Sequence, residues 1–332
     1  MNRRRWYLAG IVVLLLAAIG LGFASQSQQA GNVLTVVRVT SPPTLDGRMD
    51  DLWAQADAIQ VPVFAGANMG STTVALKAVY TDDAIYFLAR WQDPTLSLRR
   101  FPWQKQEDGS WKQLTTSAEH DENTYYEDKF AILWNIDNSI AGFNQSGCMV
   151  ACHVGEGKAY GNMRTASEGE LGDMWHWKSV RTGPVGQLDD KYLNNTSPSG
   201  RHADPKQEGG YSNNVNQAGD RPAFTAASQP VPPYWIYDDE KTPFMDIYQV
   251  GDEIAGIIVS PFVGDRGDVK AEAYYEDGLW TLEIGRKLAT GSPYDAQFDD
   301  LSESYLFGVA VFDNAQVRHA FSGGVYELRF GR

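Results

Sequence analysis

At 332 residues, with 43% hydrophobic and 21% charged side chains, the chain has an ordinary folded composition and room for one large β domain or two small ones. Its 32 Gly, 15 Pro and 10 Trp favour many turns and short strands over long helices. Asp and Glu outnumber Lys and Arg by 42 to 28, and the formal charge of −14 argues against nucleic acid and anionic lipid as partners.

Met1 to Arg5 carry three arginines, and an almost wholly apolar run follows from Trp6 to Ser25. A basic segment before an apolar one is an export signal. The small residues from Gly22 to Ser25 make only a mediocre cleavage site, and the run is about long enough to cross a bilayer, so residues 1–30 read as a signal peptide or a membrane anchor. Either way the rest is expected to be periplasmic or otherwise extracytoplasmic, held to the membrane by the N-terminal helix if that helix is uncleaved.

Leu34 to Val39 reads as the first strand. Pro42 to Trp53 reads as a loop entering a short helix, with Asp50 or Asp51 as its cap. Alternation predicts strands at Thr73 to Tyr80 and Ala84 to Asp93, joined by a Thr-Asp-Asp turn. Residues 94–125 read as a polar, Trp-bearing excursion before Lys129 to Asn135 resumes the sheet. The stretch 183–233 is dense in Gly, Asn, Asp, Ser and Pro and reads as a long irregular loop. Strand pattern returns at Glu253 to Val259, Val269 to Tyr275, Trp280 to Lys287, Tyr305 to Phe312 and Val325 to Phe330, with the hairpin signal Asp277-Gly278 between two of these runs. The expected fold is all-β, an antiparallel β-sandwich over 34–332 with short helices and long loops.

The two cysteines lie in Gly147-Cys-Met-Val-Ala-Cys-His153, a C-x-x-x-C-H pattern. The usual c-type haem signature has one spacer residue fewer; its thiols add to the porphyrin vinyl groups and the adjacent histidine binds iron. Covalent haem on Cys148 and Cys152 with His153 at the iron is one reading. A local disulfide between Cys148 and Cys152 is the other, and zinc lacks further ligands at a typical spacing. Met163 is a candidate second axial ligand, ahead of Met149 and Met174. Trp175 and Trp177 alternate with His176 and Lys178, so on a strand they share one face, where they wall a pocket or pack in a core.

The segment from Gly147 to Lys178, with Pro43-Thr-Leu-Asp-Gly47, Trp280 to Gly291 and Phe307 to Asn314 followed by His319, resembles the haem-binding domain of the ethylbenzene dehydrogenase gamma-subunit family. The resemblance covers roughly residues 34–330. It implies a sandwich with one haem that is an electron-transfer subunit, not itself an enzyme, serving the iron–sulfur and molybdopterin subunits of an oxidoreductase. In b-type members iron is held by a Met and a Lys, which by position look like Met163 and Lys287. The added Cys148, Cys152 and His153 make c-type haem the expectation and b-type the alternative, with Lys287 second to Met163 as sixth ligand. Two rivals stand beside this: a stand-alone c-type cytochrome serving another cytochrome, and a carbohydrate-binding sandwich with a Cys148–Cys152 disulfide and exposed Trp103 and Trp111 stacking on sugar rings.

Overall fold

The computed structural model describes residues 31–331 except 118–119 and 153–162. The expected signal or anchor at 1–30 lies outside the described residues; among these, no helix is long and apolar enough to cross a membrane.

Thirteen strands join in one hydrogen-bonded sheet. In chain order they are β1 (Val33–Arg38), β2 (Ile59–Phe64), β3 (Ser71–Tyr80), β4 (Ala84–Gln92), β5 (Lys129–Asn135), β6 (Gly172–Lys178), β7 (Asp189–Leu193), β8 (Arg201–Ala203), β9 (Lys270–Glu276), β10 (Leu279–Lys287), β11 (Ser304–Phe312), β12 (Ala320–Ser322) and β13 (Tyr326–Phe330). The order across the sheet is β8-β7-β6-β5-β11-β12-β2-β3-β4-β10-β9. Neighbours along it are antiparallel, while β1 adds parallel pairings to β13 and β3. The fold is therefore the expected all-β sandwich.

The sheet doubles over so that its two halves share one core. Strands β3, β4 and β10 bring Leu76, Phe87, Trp91 and Leu282, and β5, β6 and β11 bring Trp134, Trp175, Trp177 and Val309. Phe87 meets Trp134 at 5.6 Å and Trp91 stacks on Phe130 at 5.3 Å between ring centres. Such aromatic pairs add roughly 0.5–1.5 kcal/mol each beyond their buried area.

Local chemistry sets the connections. Asp50 caps the short 3₁₀ helix Asp51–Gln55 by accepting from the Leu52 amide at 2.9 Å, as expected. Asp277 and Gly278 both have positive φ, 51° and 77°, the conformation that a two-residue hairpin between right-twisted strands requires.

Two expectations are corrected. The 183–233 stretch is no single irregular loop. It holds β7, β8 and the strand Glu208–Asn213, the last paired with Ile257–Val263. Hydropathy hid β7 because, Leu193 apart, the residues it buries are charged: Asp189, Asp190 and Lys191. The expected strand at Glu253 to Val259 is broken at Ala255 and Gly256 into Glu253–Ile254 and Ile257–Val263. A Cβ at Gly256 would lie 2.0 Å from the Phe101 carbonyl oxygen, so the chain passes too close there for any other residue.

Candidate functional site

Two concavities lie on opposite outer faces of the sandwich. The first sits on β5, β6 and β11. Because Trp175 and Trp177 point into the core, Met174 and His176 point outward. Register places His176 beside Ala131 and Ala131 beside Ala310, while Met174 lies beside Leu133 and Leu133 beside Gly308. The small residues at Ala131, Ala310 and Gly308 make a trough between larger walls. Cys148, Met163, Arg201, Phe312 and His319 close it into a partly open cavity, about 870 Å³ including solvent-filled space.

Cys148 leads into the short helix α2 (Met149–Cys152), which follows α1 (Phe143–Ser146). Its thiol is free, buried, and seated on Gly308, where an added Cβ would lie 2.9 Å from the sulfur. Burial pushes that thiol up to about 11, so it is protonated at neutral pH. Met163 stands at φ +47°, a left-handed backbone that a non-glycine residue holds only at some cost.

Both ring nitrogens of His176 are buried with no hydrogen-bond partner. Its ring stacks on Phe312 at 5.4 Å. Burial, then the charges of Lys178, Lys129, Lys191 and Arg201, hold the imidazole well below its ordinary range, so it is neutral. A neutral imidazole with two free nitrogens is a competent ligand for a metal or a hydrogen-bonding group.

Of the residues expected to form a site, the structure brings Cys148 and Met163 to this cavity. The backbone of Cys152 ends α2, its side chain lies outside the described residues, and so does His153. Lys287 is exposed at the end of β10, opposite Ala84, and does not line the cavity. Trp175 and Trp177 sit in the inter-sheet core, the second of the two placements their alternation allowed. His176, Arg201 and His319 were given no site role from sequence, although His176 and His319 stood in the segments considered there. The alternation that sends Trp175 inward is the signal that sends His176 out.

The second concavity is an open cleft on β4, β9 and β10, about 730 Å³ including solvent-filled space. Register lines up Tyr274, Thr281 and Arg90 across the three strands. Gln92, Glu276 and Asp277 add polar groups, and Gly47, Arg48 and Met49 form the rim. The Arg48 guanidinium lies 4.0 Å over the Tyr274 ring, and Arg90 donates to the Thr281 hydroxyl at 3.3 Å. Tyr274 is 36% exposed, whereas Trp103 and Trp111 are 3% and 8% exposed. Their indole N–H groups donate to the Asn214 carbonyl and to Asp246, so those two tryptophans pack a satellite core and do not face a sugar.

No curated protein matches this sequence. Among solved structures the chain is similar to a family 9 carbohydrate-binding module from Caldicellulosiruptor kristjanssonii in complex with glucose, at 11% identity and TM-score 0.37, over 90% of this chain and 95% of that one. The same kind of module in complex with cellotriose gives 12% identity and TM-score 0.35 over the same shares. Against the expectation of a haem-carrying electron-transfer subunit, a cytochrome, and against the stand-alone cytochrome, the solved structures that match are carbohydrate-binding modules, a likeness of fold alone. A sandwich fixes no chemistry by itself, and the electron-transfer reading rested on the C-x-x-x-C-H motif and the family resemblance rather than on the fold. A sequence profile described as ethylbenzene dehydrogenase matches residues 50–322, most of the chain, and the protein belongs to that family.

Proposed function

We propose that this protein is an exported, non-catalytic carbohydrate-binding sandwich whose sugar lies in the cleft on β4, β9 and β10. The observation that carries this reading is the exposed Tyr274 ring set in a row with Thr281 and Arg90. A sugar presents C–H faces that pack on an aromatic ring and hydroxyls that need paired donors and acceptors. Arg48 braces the Tyr274 ring, while Arg90, Gln92 and Glu276 line the same cleft with planar polar groups. Calorimetric titration of the mature chain with glucose, cellotriose and a panel of soluble glucans tests this. Binding that falls at least about tenfold in Tyr274→Ala and in Arg90→Ala supports the cleft. No heat and no retardation on any member of the panel overturns it.

The outer cavity supports a separate proposal about a cofactor, with no electron-transfer role attached. We propose haem as its occupant, since the apolar trough suits a flat ring, the Cys148 thiol could add to a vinyl group, and the Met163 sulfur and the unpartnered His176 could bind iron. Cys148 and Cys152 would hold it by thioether bonds, His153 with Met163 or His176 would face the metal, and Arg201 would meet a carboxylate at the mouth. When bound, the group supplies a coloured metal centre that can change oxidation state. Protein made with a functioning cytochrome-maturation system is expected to show a Soret band that survives acid–acetone extraction and becomes extractable when Cys148→Ala and Cys152→Ala are combined. Colourless protein from that host rules haem out and leaves the sugar reading untouched.

A further inference from the structure

Away from both concavities, five aspartates converge where β6, β7 and the end of β8 meet the segments leading into β9 and leaving β10. They are Asp173, Asp190, Asp204, Asp268 and Asp295, and all but Asp268 are at most 2% exposed. Asp190, Asp268 and Asp295 each offer a carboxylate oxygen within 4.8 Å of the others. Among the described residues one cation answers the group: Arg286, 3.1 Å from Asp173 and 3.7 Å from Asp295. Asp190 and Asp295 each have one oxygen taken, by the Lys191 amide at 2.9 Å and the Thr290 hydroxyl at 2.6 Å. Left with no donor are Oδ1 of Asp173, Oδ2 of Asp190, both oxygens of Asp204, Oδ1 of Asp268 and Oδ1 of Asp295.

A buried carboxylate without a donor is costly, and several facing one another are costlier, unless a proton or a cation joins them. We infer that this pocket of carboxylates is a calcium site, built by Asp190, Asp268 and Asp295 with Asp204 and Asp173 around them. The donors are all oxygen, which selects a hard cation over zinc, and their crowding without His or Cys suits an ion that accepts six to eight oxygens rather than magnesium, which keeps several waters. Burial first, then neighbouring carboxylates, pushes Asp204 up to about 9 and Asp190 well above the usual carboxylate range. The sugar and haem proposals play no part in this inference.

The test is calcium titration of chelator-stripped protein at pH 8, read by calorimetry and by melting temperature, with elemental analysis of protein dialysed against calcium. We expect one calcium per chain, a rise in melting temperature, and at least a tenfold loss of affinity in Asp204→Asn and in Asp268→Asn; the second substitution, at the less buried position, serves if the first does not fold. Asp93, Asp128 and Asp313 form another acidic trio, so Asp313→Asn is the control and should leave the affinity unchanged. Absence of bound calcium, or calcium binding lost in Asp313→Asn but retained in Asp204→Asn, overturns the assignment.

Discussion

A carboxylate taken out of water and given no donor has two ways to lose its cost, a proton or a cation, and the five aspartates around Arg286 set these against each other. Burial and mutual repulsion raise the folded-state pKa of Asp173 to about 7 and of Asp204 to about 9, from an ordinary value of 3.8. Raised acids hold their protons more tightly in the folded chain. Their contribution is complete below the unfolded pKa and is lost as pH rises through 7 and then 9. Lys178 and Lys191 act in the opposite sense, because burial lowers both to about 7, so the pH dependence of the wild type alone mixes the two. The comparison with Asp204→Asn cancels the lysines. Between pH 6 and pH 9, without metal, the melting temperature of the wild type should fall further than that of Asp204→Asn, by about 1.5 °C for each kcal/mol of difference. Parallel melting curves across that range would show that Asp204 carries no raised pKa.

At the scale of elements, what could be read in advance was whatever has a short period or a short range. Alternation in Val74, Leu76 and Ala78 marked β3, the Asp-Gly pair marked the β9–β10 hairpin, and the Asp50 cap marked the first helix. Three kinds of element stayed hidden. In β2 the run Ile-Gln-Val-Pro-Val-Phe carries Pro62, which demotes a strand in any reading by pattern. In β7 the inward residues are charged, since they meet Lys178, Lys191 and Arg266 around Asp189 instead of a hydrophobic core. The trough beneath Cys148 depends on Ala131, Ala310 and Gly308 falling side by side, a register between strands distant in sequence that no local window contains. The cysteine motif and Met163 were legible because their chemistry is rare. His176 was visible only as the partner in alternation of two tryptophans, and the Tyr274 cleft was invisible because tyrosine and arginine on an outer strand face look like ordinary surface.

For the molecule as a whole, the doubled sheet makes one core serve both outer faces, which couples stability across the sandwich while keeping the cleft chemically separate. Trp134 is the clearest place to see this. It lies fully buried on β5 and meets Phe87 from the opposite half at 5.6 Å, Trp175 at 5.4 Å, Phe298 at 5.0 Å and Phe307 at 4.9 Å. Removing the indole strips contacts from both halves at once and leaves a cavity that rigid strands cannot close. Trp134→Ala should therefore cost about 3–5 kcal/mol. In a chain of this length that lowers the melting temperature by roughly 5–8 °C. Because the two halves share this cluster, calorimetry should show the sandwich melting in a single transition in both proteins. The cleft row Tyr274, Thr281 and Arg90 lies on the outer side of strands whose inward side chains, Trp280 and Trp91, stand between it and Trp134. Any sugar affinity measured below the lowered melting point should therefore match the wild type. Two separate transitions in the variant would mean that each half holds a core of its own, and the shared aromatic cluster would then be contact without coupling.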